Sequence, residues 1–186
     1  MSDTGAILCG GESSRMGQDK ATLVLSGRTM TKWVADAMTQ AGVDNIVTLA
    51  GEPHSDLTSL PDRRPGGGPL SALIGAIEEF GDVLLCPCDV PLVSQGLFAA
   101  IIEAGMTGER PVVLAHSDHL QPLIGLYKAA AKGMLAAGYE QGARGPKQIL
   151  TPTDFDLVDA TIEEVQNINT PQEFEQLRDF RGASKS

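Results

Sequence analysis

Two cationic side chains and three glycines occur close together near the start of the chain, in a stretch suited to phosphate binding. Residues 8–20 read Leu-Cys-Gly-Gly-Glu-Ser-Ser-Arg-Met-Gly-Gln-Asp-Lys. Glycines let the backbone approach a ligand closely, amide and hydroxyl groups donate to phosphate oxygens, and Arg15 and Lys20 supply positive charge. The alternative is a surface loop rich in turn residues. The spacing fits neither Gly-x-x-x-x-Gly-Lys-Ser/Thr nor Gly-x-Gly-x-x-Gly, which argues against a P-loop ATPase and a dinucleotide oxidoreductase.

A second chemical candidate is Asp89, which follows an apolar run at residues 83–88 and precedes Pro91. A carboxylate at the end of a buried strand, beside bound phosphates, is a typical Mg²⁺ ligand, with waters completing the coordination shell. The alternative role is a turn-capping aspartate. A metal that bridges the phosphates of a nucleoside triphosphate offsets their charge and polarises the phosphorus under attack. Asp89 and the opening loop together therefore predict a magnesium-dependent nucleotide site.

The charge balance limits the class of ligand. The chain has 186 residues, a formal net charge of -10, a pI near 4.6 and an aromatic content of 4%. Its overall field repels nucleic acid and anionic membranes, and few aromatic residues are available for base stacking. We therefore expect anionic ligands to bind where cations cluster in glycine- or proline-containing loops, at residues 15 and 20, 63 and 64, and 144 and 147.

The first residues of the sequence and the number of cysteines indicate the cellular compartment. Residues 1–5 show no signal-peptide pattern, and no apolar run approaches the ~18 residues of a membrane span. Three cysteines, two of them within one apolar run, do not form a disulfide framework. These features predict a cytoplasmic protein.

Strands and helices alternate along the chain in an order that can position both candidate loops. The patterns predict strands at 6–10, 45–50, 82–88, 111–115 and 121–127, and helices at 29–41, 69–79, 94–103, 129–137 and from 171. This order predicts an α/β three-layer sandwich, a mostly parallel sheet with helices on both faces. Ligands bind outside the carboxyl ends of such strands, so the loops after Gly10, Ala50 and Cys88 should converge on one crevice.

A long polar loop, residues 51–68, precedes the second helix. It ends in three glycines before Pro69, which is suited to the first turn of a helix. Loops of this length inside a compact domain are often functional. Since a helix N-terminus attracts anions, a second anion site is predicted here.

Taken together, the motifs resemble the molybdenum cofactor guanylyltransferase (MobA) family. The resemblance covers residue 5 to about residue 178, nearly the whole chain. It rests on these motifs: Leu8-Cys9-Gly10-Gly11-x4-Met16-Gly17-x-Asp19-Lys20, Pro61-Asp62, Gly68-Pro69-Leu70, Cys88-Asp89-Val90-Pro91, Gln121-Pro122-Leu123 and Asn167-Ile168-Asn169-Thr170-Pro171.

The resemblance implies a Rossmann-like nucleotidyltransferase that transfers GMP from GTP to the terminal phosphate of molybdopterin and releases pyrophosphate. It implies one domain, residues 1–180, with a nucleotide-binding half to about residue 92, an acceptor-binding half over about 93–180, and a frayed tail at 181–186. GTP, molybdopterin and Mg²⁺ are the implied ligands. Transient contacts with molybdoenzymes or other cofactor-biosynthesis proteins are the implied protein interactions.

The resemblance also implies roles for individual residues. Arg15, Lys20 and Asp89 would be catalytic, with Asp89 the metal ligand. The nucleotide-binding residues would be Leu8, Cys9, Gly10, Gly11, Lys20, Asp62, Gly68 and Asp89, and the acceptor-binding residues Asn167, Asn169, Arg144 and Lys147. One of the two asparagines is also a candidate for the metal shell, and a solvated loop is the alternative for residues 144 and 147.

Two residues depart from the family pattern, and several activities stay open. Cys9 replaces a small alanine, and Ala50 offers no polar side chain where the family can place a nucleotide contact. The alternatives are CTP-dependent cytidylyl transfer to the same pterin, sugar-phosphate nucleotidyl transfer, and a nucleotide-binding regulatory module without turnover.

A zinc site is a weaker hypothesis, raised by Cys86, Cys88, His116 and His119. Structural zinc sites use four ligands with a different cysteine spacing. We expect the cysteines to be core residues that point to opposite faces of their strand. We expect the histidines to lie at a hairpin turn.

Overall fold

The computed structural model describes residues 4–10, 24–50, 57–61, 66–170, 172–173 and 175–176. Its strands in chain order are β1 (Thr4–Leu8), β2 (Val24–Leu25), β3 (Arg28–Thr29), β4 (Asn45–Leu49), β5 (Thr58–Leu60), β6 (Val83–Pro87), β7 (Val112–His116), β8 (Leu120–Tyr127) and β9 (Phe155–Asp159). Its α-helices are α1 (Met30–Gln40), α2 (Gly68–Phe80), α3 (Gln95–Thr107) and α4 (Lys132–Glu140).

Seven of these strands form one sheet in the order β5-β4-β1-β6-β8-β7-β9. Every pairing is parallel except those of β8, which runs antiparallel to β6 and β7. The predicted mostly parallel sheet is confirmed. The remaining strands, β2 and β3, form a separate two-stranded hairpin. Because β1 and β6 are neighbours and parallel, the segments that follow them leave the same edge of the sheet.

Local sequence signals explain where the helices begin. The hydroxyl of Thr29 accepts a hydrogen bond from the Lys32 amide at 3.2 Å and caps α1. Ser94 caps α3 in the same way, with the Leu97 amide as donor at 3.0 Å. Pro69 occupies the first turn of α2, where its missing N–H removes no helical hydrogen bond.

Helices cover both faces of the sheet, as predicted. Alternate residues of β1 face opposite sides, so Ile7 packs in the cluster with α1 and α3, and Leu8 packs in the cluster with α2 and α4. Both clusters consist of fully or nearly fully buried apolar side chains. Burial on both faces accounts for the apolar character of residues 6–8 in β1 and of β6.

Two edge strands and two helix boundaries differ from the prediction. The segment 51–68, predicted as loop throughout, contains β5, and β9 was not predicted. The strand β5 has three residues, too few for a recognisable alternation, and β9 carries two aspartates at the opposite edge. Helix α3 extends to Thr107, and a 3₁₀ turn at Ala129–Ala131 delays the start of α4 to Lys132. Among the helices described, none is long and apolar enough to cross a bilayer.

Candidate functional site

A crevice of about 360 Å³ opens at the carboxyl ends of β1 and β6. Its walls come from the ends of these strands, the first turn of α2, part of β8 and the segment near residue 167. The described lining residues are Leu8, Cys9, Gly10, Pro69, Pro87, Cys88, Asp89, Gln121, Pro122, Leu123, Ile124 and Asn167. The ends of β1 and β6 thus meet at one site through residues 8–10 and residues 87–89. The segments 11–23 and 51–56, which were also predicted to reach this crevice, lie outside the described residues.

The floor of the crevice is backbone held by the sheet ladder. The Cys9 amide donates to the Leu49 carbonyl at 2.9 Å, and the Cys88 amide donates to the Leu8 carbonyl at 3.0 Å. A Cβ atom added at Gly10 would lie 1.4 Å from the Ala50 carbonyl oxygen, a distance that no side chain tolerates. Position 10 therefore requires glycine for the close approach of β1 to the end of β4.

Asp89 and Asn167, which are far apart in sequence, meet in this crevice. Asp89 is half-buried, and its backbone carbonyl accepts a hydrogen bond from the Ile168 amide at 2.7 Å. Ile168 is fully buried in a small cluster with Leu25, Met30 and Leu92. Burial of Ile168 thus fixes the preceding residue, Asn167, beside the end of β6. The sequence placed both residues at the site, and the structure brings them together.

One wall of the crevice is a bulge in β8 that sequence analysis did not assign. Leu114 of β7 pairs with Gly125, but the next residue, Ala115, pairs with Gln121, so residues 122–124 have no partner on β7. The pairing of β8 with β6 also ends at Gly125. A Cβ atom at Gly125 would lie 2.2 Å from the Val113 carbonyl oxygen. A proline and a glycine inside a strand pattern were the available signal.

Tyr127 secures this bulge and was also missed. Its hydroxyl donates a hydrogen bond to the Pro122 carbonyl, and its side chain is fully buried. Burial raises the pKa of Tyr127, so the hydroxyl stays a neutral donor. The bond joins the regular end of β8 to the first residue of the bulge, which fixes the wall that faces the strand ends.

The predicted cationic loop near residue 145 lies against the start of α2. The Arg144 carbonyl accepts a hydrogen bond from the Leu70 amide at 3.0 Å, and Gly68 adopts a φ of +70° beside that carbonyl. The guanidinium of Arg144 lies 4.7 Å from the centroid of the Tyr139 ring. Arg144 and Lys147 are exposed and do not line the crevice described above. Their acceptor-binding role stays a prediction.

The other predicted site residues divide into two groups. Gly11, Arg15, Lys20 and Asp62 lie outside the described residues, so their roles stay predictions. Asn169 is exposed, is not among the described lining residues, and its backbone amide donates to the Glu173 carboxylate at 2.7 Å. This carboxylate orders the turn that follows Asn167.

The expected orientation of the strand cysteines was wrong. Cys86 and Cys88 lie two positions apart, and such residues share a face of a strand; both pack in the cluster with α1 and α3. Burial raises the pKa of the Cys86 thiol, and the neighbouring Asp89 carboxylate raises it further. Across the described ranges, no three histidine, cysteine or acidic side chains are grouped so as to bind a metal. His116 and His119 lie at the β7–β8 hairpin, as predicted.

The fold, with its crevice at the carboxyl ends of the central parallel strands, and the comparisons below define an α/β nucleotidyltransferase. Residues 5–158 match the sequence profile of the MobA-like NTP transferase domain, and the chain belongs to this family. A relative from Pelotomaculum thermopropionicum, named probable molybdenum cofactor guanylyltransferase, is 34% identical over 149 residues, 77% of this chain and 70% of the relative. A relative from Ectopseudomonas mendocina (strain ymp), named molybdenum cofactor guanylyltransferase, is 29% identical over 177 residues, 89% of this chain and 87% of the relative.

Solved structures show the same fold. The crystal structure of molybdopterin-guanine dinucleotide biosynthesis protein A from Archaeoglobus fulgidus has a TM-score of 0.76 at 20% identity, over 98% of this chain and 100% of that one. A Mycobacterium tuberculosis H37Rv protein solved in complex with manganese has a TM-score of 0.69 at 16% identity, over 95% of this chain and 97% of that one.

Proposed function

We propose that the protein transfers GMP from GTP to the terminal phosphate of molybdopterin and releases pyrophosphate. The observation that carries this proposal is the meeting of three groups in one crevice: the backbone of residues 8–10, the Asp89 carboxylate and Asn167. The names of the relatives, which refer to a guanylyl group and to molybdenum cofactor, support this choice of substrates.

On the nucleotide side, the backbone of Leu8, Cys9, Gly10 and Gly11 would contact the nucleoside, together with Asp62 and Gly68. Arg15 and Lys20 would contact the phosphates. This assignment fits the position of residues 8–10 in the lining of the crevice, where Gly10 presents backbone without a side chain to a ligand. Since both substrates are polyanions, these residues would act by positioning and charge stabilisation rather than by covalent catalysis.

Asp89 would hold Mg²⁺. The donor set fits this ion, because Mg²⁺ is often bound by one or two carboxylates together with substrate phosphates and water. Asp89 supplies such a carboxylate at the crevice, half-buried at the end of β6. The bound ion would supply charge neutralisation at the α-phosphate. Asp89 would orient the ion, and the bond from the Ile168 amide would keep the backbone of Asp89 in place.

On the acceptor side, Asn167 would contact the pterin half or complete the metal shell, with Asn169 beside it. Arg144 and Lys147 would meet the pterin phosphate from the loop at the start of α2. This arrangement assigns a nucleotide-binding half to residues up to about 92 and an acceptor-binding half to about 93–180, within one domain of residues 1–180.

Incubation of the purified protein with molybdopterin, Mg²⁺ and each labelled nucleoside triphosphate in turn tests the proposal. We expect pyrophosphate release and a guanine dinucleotide product only with GTP. Pyrophosphate release only with CTP, or no release with any of the triphosphates, would contradict the proposal. Sugar phosphates offered in place of molybdopterin should give no product.

A pair of matched variants tests the metal assignment. Asp89→Asn should lower turnover by at least a hundredfold, because an amide is a poor Mg²⁺ ligand, while GTP binding without metal should change little. Asp118→Asn, at an exposed position in the β7–β8 hairpin, is the control and should retain full activity. Full activity in Asp89→Asn would refute the role of Asp89.

CTP-dependent transfer to the same pterin is the second candidate, because position 50 offers no side chain that would select guanine. Ala50 has a φ of +54° beside Gly10 and carries no polar side-chain group for a base or ribose. The ratio of kcat/KM for GTP and CTP measures this preference directly.

A further inference from the structure

Cys9 and Cys88 lie opposite each other at the ends of two neighbouring strands. The register of β1 and β6 runs from Thr4 with Val83 to Leu8 with Pro87, so the next pair is Cys9 with Cys88. The ladder reaches this pair, because the Cys88 amide still donates to the Leu8 carbonyl at 3.0 Å. The two cysteines are therefore direct neighbours across the sheet.

Both thiols lie on the same face and at the same crevice. Cys88 belongs to the cluster with α1 and α3, and Cys9 packs against that cluster, with its Sγ 3.7 Å from the Thr31 hydroxyl oxygen on α1. Both residues line the crevice. Cys9 is partly exposed, whereas Cys88 is only 6% exposed. A small reagent in the crevice thus reaches Cys9 first, with Cys88 beside it.

The strand spacing is compatible with a covalent bond between these thiols. Neighbouring strands lie about 4.8 Å apart, within the Cα separations of about 4.4 to 6.8 Å found in disulfides. The Cβ atoms of a disulfide are closer, near 3.8 Å, so the two ends must approach by about 1 Å. The regular strands end at Leu8 and Pro87, so such a movement strains only the last bonds of the ladder, those of the Cys9 and Cys88 amides. A bond formed under strain is reduced easily, as reversible disulfides are.

We propose that Cys9 and Cys88 form a modification site that takes a low-molecular-weight disulfide such as glutathione disulfide. The Cys9 sulfur attacks one sulfur of the reagent, the reagent's S–S bond breaks, and one glutathione thiol leaves with the proton from Cys9. The Cys88 sulfur then attacks the Cys9 sulfur and releases a second glutathione thiol, which takes the proton from Cys88. Two protein thiols are oxidised to one disulfide, and the reagent is reduced to two thiols.

The cross-link would act on the transfer reaction, a consequence that rests on the proposed function. It joins the residue before Gly10 to the residue before Asp89, and so ties the nucleotide-contacting backbone to the base of the proposed metal ligand. The approach of the two ends shifts both groups relative to each other. Because transfer depends on alignment at the α-phosphorus, we expect turnover to fall at least tenfold in the oxidised protein and to recover with dithiothreitol.

The experiment treats the native protein with glutathione disulfide and identifies the product by mass spectrometry of its peptides. We expect loss of two hydrogens and a peptide bearing Cys9 joined to the peptide bearing Cys88. Cys86→Ala should retain the cross-link, whereas Cys9→Ala and Cys88→Ala should abolish it. A cross-link that persists in Cys88→Ala, or mixed disulfides with glutathione alone, would overturn the proposal.

A second measurement uses phenylarsine oxide, which bridges closely spaced thiols. One equivalent should remove two reactive thiols from Cys86→Ala, in which Cys9 and Cys88 are the remaining cysteines of the sequence, and loss of none or one would count against the site. These readouts do not depend on turnover. If no triphosphate supports transfer but the cross-link forms, only the proposed function fails. If transfer proceeds and the cross-link does not form, only the present proposal fails.

Discussion

The hydroxyl of Tyr127 offers the sharpest test of how the crevice is built. In Tyr127→Phe the side chain keeps its volume in the core and loses only the hydrogen bond to the Pro122 carbonyl. A buried hydrogen bond contributes about 1 kcal/mol net. Pro122 is only partly buried, so water can replace part of the lost interaction. We therefore expect the free energy of unfolding to fall by ~0.5 to 1.5 kcal/mol.

The same change should alter substrate binding selectively. Residues 122–124 lack partners on β7, so the Tyr127 hydroxyl is a main constraint on this wall. In the variant, the acceptor must order this wall when it binds. If that ordering costs about 1 kcal/mol of the acceptor's binding free energy, the acceptor KM rises about fivefold. The nucleotide KM should change little, because the nucleotide is assigned to the backbone of residues 8–10 and not to this wall.

Urea unfolding and steady-state kinetics with each substrate varied in turn measure both effects. Ile101→Val in α3 is the control, since it removes one buried methylene from a residue that does not itself line the crevice and should cost ~0.5 to 1.5 kcal/mol. It should leave both KM values unchanged. Equal changes of both KM values in Tyr127→Phe, or the same KM pattern in the control, would refute the positioning role.

Four further outcomes follow from the geometry. Gly10→Ala should weaken nucleotide binding at least tenfold in calorimetry, because its Cβ would collide with the Ala50 carbonyl; unchanged binding would contradict the close approach. Ala50→Gly should stabilise the fold by up to about 1 kcal/mol by relieving a positive φ, and any loss in urea midpoint opposes this. Thr48→Val should stabilise it by ~1 kcal/mol, since the buried hydroxyl has no hydrogen-bond partner among the residues that the structure describes. Burial raises the pKa of Cys86 and of Tyr127 above their unfolded values, so stability should be full below pH 9 and fall as pH rises through 9 and 10; Cys86→Ala should flatten the first part of this decline.

The sheet and its helices were largely predictable because their signals are local. Continuous apolar runs identify β1 and β6, and the caps at Thr29 and Ser94 mark helix starts. The edge strand β5 was missed because three residues, of which none is fully buried, carry no periodic signal. The bulge in β8 was missed for a different reason. A bulge is a shift in the pairing between two strands, and the sequence of β8 alone does not determine how β8 pairs with β6 and β7.

The candidate site shows the same division between local and non-local information. Asp89 and residues 8–10 could be identified because each directly follows an apolar strand. The relation between Cys9 and Cys88 could not, since it requires that β1 and β6 be neighbours, parallel and in that register. The alternation of side chains along a strand determines which face of the sheet each cysteine occupies. Which residue lies opposite it on the neighbouring strand depends on the strand order and register. Cys9, treated from sequence as a modest departure within a backbone contact, therefore gains a chemical role only when the strands are assembled.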